Sequence, residues 1–546
     1  MRIVEVRALD GPNLFLLQPA IKLEYALEPE ETTQLSPAAI DLLFSELPDV
    51  ELSAPVSDSG LLALFPEVVG KLHELCGLEV PPTTALAMEE PDHYVVAFGW
   101  ERRAFAKALA QAAYAIVEGT VVDLEEVVEE LVGLLAQPVT RDDKPEMLTN
   151  RDRQIPIIAV TGTNGKTTTT RLIASVLMGI GRKVGWTSSA GVLIQHDIVI
   201  PGDYTGPSGA ARVFEERDVD IAVLETARGG ILLRGLGYES NDISVITNVT
   251  EDHLGLHGVH TVEGLRDVKS VVAQVTTPDG FVVLNADDPM SLSIRERVTA
   301  QVLLTSKRAD HRALMEHREA GGWVLFVRDG AIVSAEGENE VVITSLDRVP
   351  ITFGGRAPHM VENALSASGA LLAAGVTAEE LRDGLAGFLP QSEQNRGRLN
   401  VFTVNGAQVI LDFAHNQAGL DLLLNFGRQF VEGSGRLIAV VGTAGDRTDD
   451  SMRMIGSIAA RQADYTIFKD TTKYLRGREQ GEMLPLMHAG FEEAGGGPNE
   501  DAPDERTAAL RAVELAKSGD AVALMCIEDF DFLLEHLHQI GTPFTG

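Results

Sequence analysis

The sequence predicts an α/β protein in three units: a small N-terminal α+β domain (residues 1–150), a central α/β domain with a P-loop turn (151–393), and a C-terminal Rossmann-like α/β domain (394–546). Three observations predict it. From residue 155 onward, short β-branched runs alternate with helical stretches, the pattern of largely parallel sheets covered by helices. One of those runs enters a glycine-punctuated turn that opens a helix. Polar stretches at 137–154 and beyond Pro390 interrupt the alternation where boundaries belong. A chain of 546 residues has length for two to four such units.

In the N-terminal unit, strands are predicted at Arg2–Val6, Val50–Leu52 and Tyr94–Phe98, and helices at Leu64–Cys76, Arg103–Glu118 and Leu124–Leu135. Glu125, Glu126, Glu129 and Glu130 give the last helix a solvated acidic face. No phosphate loop, metal-ligand spacing or nucleophile constellation is present, so this unit reads as a binding or assembly domain. The linker Gln137–Gln154 is polar and too short to hold a further domain.

The central unit is organised around Ile157–Thr170, IIAVTGTNGKTTTT. Ile157–Val160 is a buried strand, Thr161–Gly165 a tight turn, and Lys166 with four following threonines a helix start. That order builds a nest for phosphate from the backbone of Gly162, Thr163, Asn164 and Gly165. Lys166 supplies the neutralising charge, and Thr167 and Thr168 supply hydroxyls within reach of phosphate and Mg²⁺. Val160 stands where the Walker pattern has its first glycine. Further strands are predicted in VGWTSS, IAVLETA, ISVITNV, FVVLNADD and VLLTS, with polar residues gathered at their carboxyl ends. Glu225 closes one of them, followed by Arg228, and a carboxylate there suits Mg²⁺, which takes hard oxygen ligands beside phosphates. Thr187, Ser188, Ser189 and the loop Asp203–Pro207 are candidates for holding a substrate carboxylate.

The C-terminal unit shows strands in VILDFAHN, LIAVVGTAGDRTDD, ADYTIFKD and AVALMCI. Its GTAGD turn lacks the spacing of a dinucleotide fingerprint, which excludes an NAD site there. The formal charge of −35 argues against a nucleic-acid backbone as partner, and no apolar run is long enough for a membrane span. Two cysteines, Cys76 and Cys526, give no disulfide framework and fit a reducing cytosol, so a cytoplasmic protein is expected. MRIVEVRALDGPNLF reads as strand and turn, not as a signal peptide.

The motif TGTNGKTTTTR resembles the nucleotide loop of the Mur ligases, ATP-dependent enzymes that join a carboxylate to an amine. The wider run IPIIAVTGTNGKTTTTRLIA is similar to the ligase half of cyanophycin synthetases. ALDGPNLF, HELCGLEV and YVVAFGWERRAFAKALAQAAYAIV resemble the small N-terminal domain of those enzymes, which is associated with holding the polymer chain. Their ATP-grasp domain has no counterpart, because the linker runs directly into IPIIAVTG, and the backbone-extending activity is expected to be absent with it.

The resemblance implies ATP and two Mg²⁺ ions as cofactors. It casts Lys166, Glu225, Arg228, His253 and Lys269 as catalytic, with Thr167, Glu225, His253 and Lys269 around the metal. His253 lies in NVTEDH, which matches the Mur loop whose histidine ligates Mg²⁺; Lys269, sixteen residues on, matches a lysine that is carbamoylated in many of these ligases. Asn285, Asp287, Asp288 and Asn363 fall at the nucleotide end, where Met360 departs from the usual HNxxNA pattern beside His359. Arg398, Asp412, His415 and Asn416 resemble residues that close over ATP, although Gln417 replaces a common proline. Asp446 and Arg447 resemble the GGDR loop, and Leu475–Glu482 resembles the cyanophycin synthetases, whose C-terminal domain helps receive the amine.

The implied reaction is ATP-dependent amide bond formation through an acyl phosphate, releasing ADP and phosphate. The expected partners are an acidic peptide or polymer and an amine, arginine or another, in a homo-oligomer. Cell-wall precursor ligases and folate-type glutamate ligases are the alternative enzyme readings, and a non-catalytic scaffold binding acidic chains is the alternative outside enzymes. The scaffold would not require Lys166, Glu225 and His253, all present here.

Overall fold

The alternation of apolar runs resolves into three sheets in the computed structural model, which describes residues 1–27, 58–121, 123–251 and 254–544. The first sheet is antiparallel in the order β1-β2-β4-β3, from Arg2–Leu9 (β1), Ala20–Ala26 (β2), Thr83–Ala87 (β3) and His93–Gly99 (β4). Helices α1 (Asp58–Leu75), α2 (Arg103–Glu118) and α3 (Leu124–Ala136) accompany it. Phe65, Val68 and Leu72 of α1 and Phe105 and Leu109 of α2 pack with Tyr25, Val96 and Phe98 of the sheet. The helix expected at Leu64–Cys76 starts earlier, and the strand expected at Val50–Leu52 lies outside the described residues. The glutamates of α3 are exposed, as a solvated face requires.

The second sheet has eleven strands, ordered β15-β14-β13-β12-β11-β10-β5-β9-β6-β7-β8. They are Ile157–Thr161 (β5), Val184–Ser188 (β6), Gly191–Ile194 (β7), Asp197–Pro201 (β8), Ile221–Glu225 (β9), Asn241–Ile246 (β10), Thr276–Asn285 (β11), Gln301–Ser306 (β12), Trp323–Arg328 (β13), Ala331–Glu336 (β14) and Asn339–Ser345 (β15). From β13 to β6 neighbours run parallel, and antiparallel hairpins finish both edges. All six predicted strands fall in the parallel part. β5 is buried throughout and feeds both faces: Ile158 and Val160 join one apolar core, Ile157 and Ala159 the other.

The third sheet has seven strands in the order β20-β19-β18-β21-β17-β16-β22. They are Asn400–Val404 (β16), Ala407–Asp412 (β17), Leu437–Val441 (β18), Tyr465–Lys469 (β19), Asn499–Ala502 (β20), Ala521–Met525 (β21) and Thr542–Pro543 (β22). It is parallel from β20 to β17, with antiparallel β16 and β22 at the edge. Phe353, at the end of the central unit, packs its ring against Phe426 at 4.8 Å and Phe544 at 5.3 Å between centroids. An apolar contact thus joins the second and third sheets. Among the described residues, no helix is long and apolar enough to cross a membrane.

The loop leaving β21 is held by one buried ion pair. Glu505 and Lys469, each 1% exposed, are in contact. The Glu505 carboxylate also accepts the N–H groups of Ile527 (2.8 Å), Glu528 (2.8 Å) and Asp529 (2.7 Å) and the Cys526 thiol (2.7 Å). Burial alone would raise its pKa, but Lys469, the Asp529 N–H and Cys526 outweigh burial and hold it at about 2. The stability this group contributes is therefore present above the unfolded value near 4.5 and is lost as pH falls from there through about 2. We expect Glu505→Gln, which strands a buried ammonium, to cost about 3–5 kcal/mol at neutral pH. Urea unfolding at pH 7, together with a flatter acid limb of stability between pH 5 and 3, checks this.

Candidate active site

β5 hands the chain to the turn Gly162–Gly165, and helix α4 (Lys166–Gly179) starts at once. The turn needs its glycines. Gly162 has φ of 152° and Gly165 of 87°; a Cβ would overlap the Thr247 hydroxyl at the first and the Asn363 side-chain oxygen at the second. The loop after β10 braces the turn. Asn248 accepts Thr163 N–H on its carbonyl (2.8 Å) and Asn164 N–H on its side-chain oxygen (2.9 Å), while the Thr247 hydroxyl donates to Asn164 O (2.7 Å). The N–H groups of Thr163 and Asn164, expected to face phosphate, are thus bonded to Asn248. The first turn of α4 carries no side-chain cap, and its N–H groups are the ones offered to an anion. Lys166 Nζ folds over the turn onto Gly162 O (3.0 Å) and Thr163 O (2.8 Å).

Glu225, at the end of β9, is 3% exposed. Its Oε1 accepts the Thr167 hydroxyl at 2.9 Å, and its Oε2 is buried without a hydrogen-bond partner among the described residues. Burial raises its pKa against the pull of Lys166, Thr167, Arg398 and Arg171. A buried carboxylate oxygen left unsatisfied costs roughly 1–3 kcal/mol unless a cation meets it. That orphan oxygen, beside a threonine hydroxyl at a helix start, fits Mg²⁺ held together with phosphate oxygens. Thr167 and Glu225 are the described residues that would hold it; His253 lies outside the described residues.

Helices α5 (Pro207–Phe214), α6 (Arg228–Arg234) and α7 (Val262–Gln274) flank this point. Lys269 of α7 is 3% exposed, and its Nζ donates to Gly162 O at 2.7 Å. A cavity of about 240 Å³ brings together Gly165, Lys166, Thr167, Ser189, Asp203, Glu225, Arg228, Lys269, Arg398 and His415. Thr187 and Ser188 lie outside its lining. A smaller one of about 60 Å³, between the phosphate loop and β17, is lined by Gly165, Thr168, His359, Asn363, Arg398, Asp412 and His415. There the His359 Nδ1 is buried without a hydrogen-bond partner among the described residues, and burial, with Lys307 nearby, lowers its pKa to about 4. The ring is neutral near pH 7. Burial raises the Asp412 pKa while Arg398 and the Leu399 N–H (2.8 Å) oppose it.

Asn285 sits elsewhere than expected: it lines neither cavity, and its Nδ2 donates to Thr247 O (3.1 Å), supporting the β10 loop from behind. Two contributors were not singled out from sequence. Arg171 donates to Arg396 O (2.8 Å), and burial and Arg398 lower its pKa to about 10; Asn395 accepts the Thr168 hydroxyl at 3.3 Å. Arg171 follows Thr167 by four residues, so helical spacing alone put it on the site face.

Residues 160–371 match the Mur ligase middle domain, and residues 397–526 match the Mur ligase glutamate ligase domain. The chain is 40% identical over 338 residues to a cyanophycin synthetase of Crocosphaera subtropica, which is 62% of this chain and 38% of that one. To the UDP-N-acetylmuramoyl-L-alanyl-D-glutamate–2,6-diaminopimelate ligase of Bacillus velezensis it is 28% identical, over 68% of this chain and 73% of that one. It thus spans about two fifths of the length of the cyanophycin synthetases it matches. Among solved structures, E. coli FolC in complex with ADP shares the fold with a TM-score of 0.52 at 20% identity, covering 70% of this chain and 89% of that one. Matched to the two Mur ligase domains over more than half its length, and carrying their phosphate loop, this chain belongs to the Mur ligase family.

Proposed function

We propose that the protein is an ATP-dependent amide ligase that activates a carboxylate of an acidic peptide or polymer and joins it to an amine. One observation carries the reading: the buried, half-satisfied Glu225 carboxylate over Thr167, at the helix start where Lys166 covers a glycine turn. A carboxylate is a poor electrophile. In the proposed reaction the substrate carboxylate oxygen attacks the γ-phosphorus, the bond to the β–γ bridging oxygen breaks, and ADP leaves. The amine nitrogen then attacks the acyl carbon, loses a proton and expels phosphate. Lys166 and the first-turn N–H groups of α4 hold the negative charge spread over the transferring phosphoryl, and Arg228 faces the same cavity. Mg²⁺ on Glu225 and Thr167 would add charge neutralisation there. Arg398 and His415, from the C-terminal unit, roof the cavity and keep water from the reactive acyl group. Conversion of the buried Lys269 amine to a carbamate by CO₂, with loss of a proton, and assembly into a homo-oligomer belong to the same reading.

Support for an acidic acceptor comes from a groove of about 1030 Å³ between the N-terminal sheet and helices α5 and α6. Arg7, Arg103, Lys107, Arg141, Lys144 and Arg234 line it together with Glu5, Asp10, Asp142, Glu146 and Glu215, so cations slightly outnumber acids there in a chain of net charge −35. Arg7, Arg103 and Arg234 are paired with acids, whereas Lys107, Arg141 and Lys144 form no ion pair among the described residues.

The experiment is phosphate release from ATP and Mg²⁺, with acidic peptides crossed against amino acids and diamines and product masses recorded. Amide formation appears as a product heavier by the amine minus water. In the combined variant Lys107→Glu, Arg141→Glu and Lys144→Glu, the KM for the acidic peptide is expected to rise about tenfold or more, with ATP affinity unchanged. Release indifferent to every acceptor and amine would overturn the ligase reading.

A further inference from the structure

The turn between β3 and β4 belongs to the N-terminal sheet, yet it grips the segment that enters α7. Glu89 Oε2 accepts the Thr261 N–H at 2.9 Å and the His260 N–H, and its Oε1 accepts the Thr261 hydroxyl. Glu90 Oε2 adds a hydrogen-bond contact with His260 Nε2 at 3.2 Å. The Glu89 carboxylate packs directly on Gly264, in the first turn of α7, where a Cβ would displace Glu89 Oε1. A carboxylate at this place also complements the positive end of the helix.

Thr250, earlier in the chain, is tied to the phosphate loop. Thr250 N–H donates to the Thr163 hydroxyl (3.0 Å), which donates back to Thr250 O (3.0 Å). Beyond Glu89, α7 runs about two turns to Lys269, whose Nζ reaches Gly162 O. Glu89 thus clamps the entry of α7, and the helix meets the phosphate loop at Gly162.

From this geometry we infer that Glu89 is a positioning residue: from the N-terminal unit it fixes the 254–261 segment and α7, and through them sets Lys269 against the phosphate loop. The inference rests on the nucleotide reading of that loop. Glu89 is not what keeps the N-terminal unit attached. Asp10 N–H donates to Arg234 O (2.7 Å), Leu236 N–H to Pro12 O (2.8 Å) and Leu148 N–H to Gly237 O (3.0 Å), and all three lie elsewhere. Loss of Glu89 therefore releases the segment while the unit stays docked.

The test uses the full chain and Glu89→Ala, with Glu89→Gln as the variant that keeps one acceptor oxygen. Amide hydrogen exchange over 254–264 should quicken by about tenfold or more in Glu89→Ala, with 8–14 and 234–239 unchanged and Glu89→Gln intermediate. Binding of a fluorescent ATP analogue should then need about tenfold more Mg²⁺ for half-saturation, while affinity without Mg²⁺ stays the same. Wild-type exchange over 254–264, or faster exchange with an unmoved Mg²⁺ requirement, overturns the inference. A chain that binds no nucleotide at all refutes the nucleotide reading instead, and the exchange data still show whether Glu89 holds the segment.

Discussion

Lys166→Ala is expected to lower phosphate release from ATP by at least about 10²–10³-fold, the loss typical when one preorganised donor to a developing charge is removed. The reason is local. Of the N–H groups in the turn, those of Thr163 and Asn164 are bonded to Asn248, so charge stabilisation falls on the helix start and on this ammonium. Asn248 and Thr247 hold the turn without Lys166, so the variant should melt within a few degrees of the parent. Arginine should not restore the rate, because a planar guanidinium cannot fold onto Gly162 O and Thr163 O as a point charge does. Steady-state phosphate release, with thermal melts of each variant, checks both claims.

Glu225→Gln should have an effect of similar size on activity and the opposite sign on stability. The amide keeps the size and the bond to Thr167 but removes the charge that would hold Mg²⁺, and turnover should fall at least about 10²-fold. Without nucleotide, the native carboxylate is a burden. Burial raises its folded pKa above 4.5, so the folded state binds the proton more tightly than the unfolded chain, and stability is lost as pH rises from 4.5 through the folded pKa. Glutamine removes that loss. The nucleotide-free variant should therefore melt at the same or a higher temperature at neutral pH, and added Mg²⁺-ATP should stabilise it less than it does the parent. A variant both inactive and strongly destabilised would contradict this account.

Much of the fold was legible because the interior strands are extreme in composition. Ile157–Val160 and Ile221–Leu224 are apolar and buried on both faces, as strands of a parallel sheet covered by helices require. The edge hairpins escaped the sequence because they are half solvent: β8 and most of β15 expose their side chains and alternate poorly. Trp323–Arg328, parallel to β12 and antiparallel to β14, was missed although Gly321–Gly322 before it and Asp329–Gly330 after it are turn signals that mark a strand. In the site, motifs placed Lys166, Thr167, Glu225, Arg228 and Lys269, which the fold brings to one cavity. What no motif could carry was contact across units. Glu89 meets Thr261, and Asn164 meets Asn416 252 residues away, through tertiary geometry alone.

The apolar and polar halves of the contact between the second and third sheets are unequal, and that inequality sets which way the molecule gives. On one side Phe353 is wedged among Phe426, Phe430 and Phe544, a non-directional apolar contact, with one hydrogen bond beside it from Gln429 Nε2 to Arg356 O (2.8 Å). On the other, the phosphate loop and its helix meet the C-terminal unit through Arg171 on Arg396 O (2.8 Å), Thr168 on Asn395 (3.3 Å) and Asn416 on Asn164 (3.5 Å). Hydrogen bonds of the last two lengths are near the end of their range, and a small separation forfeits them. We therefore expect the C-terminal unit to loosen first beside the phosphate loop, where two of these three bonds are long, rather than at the Phe353 contact.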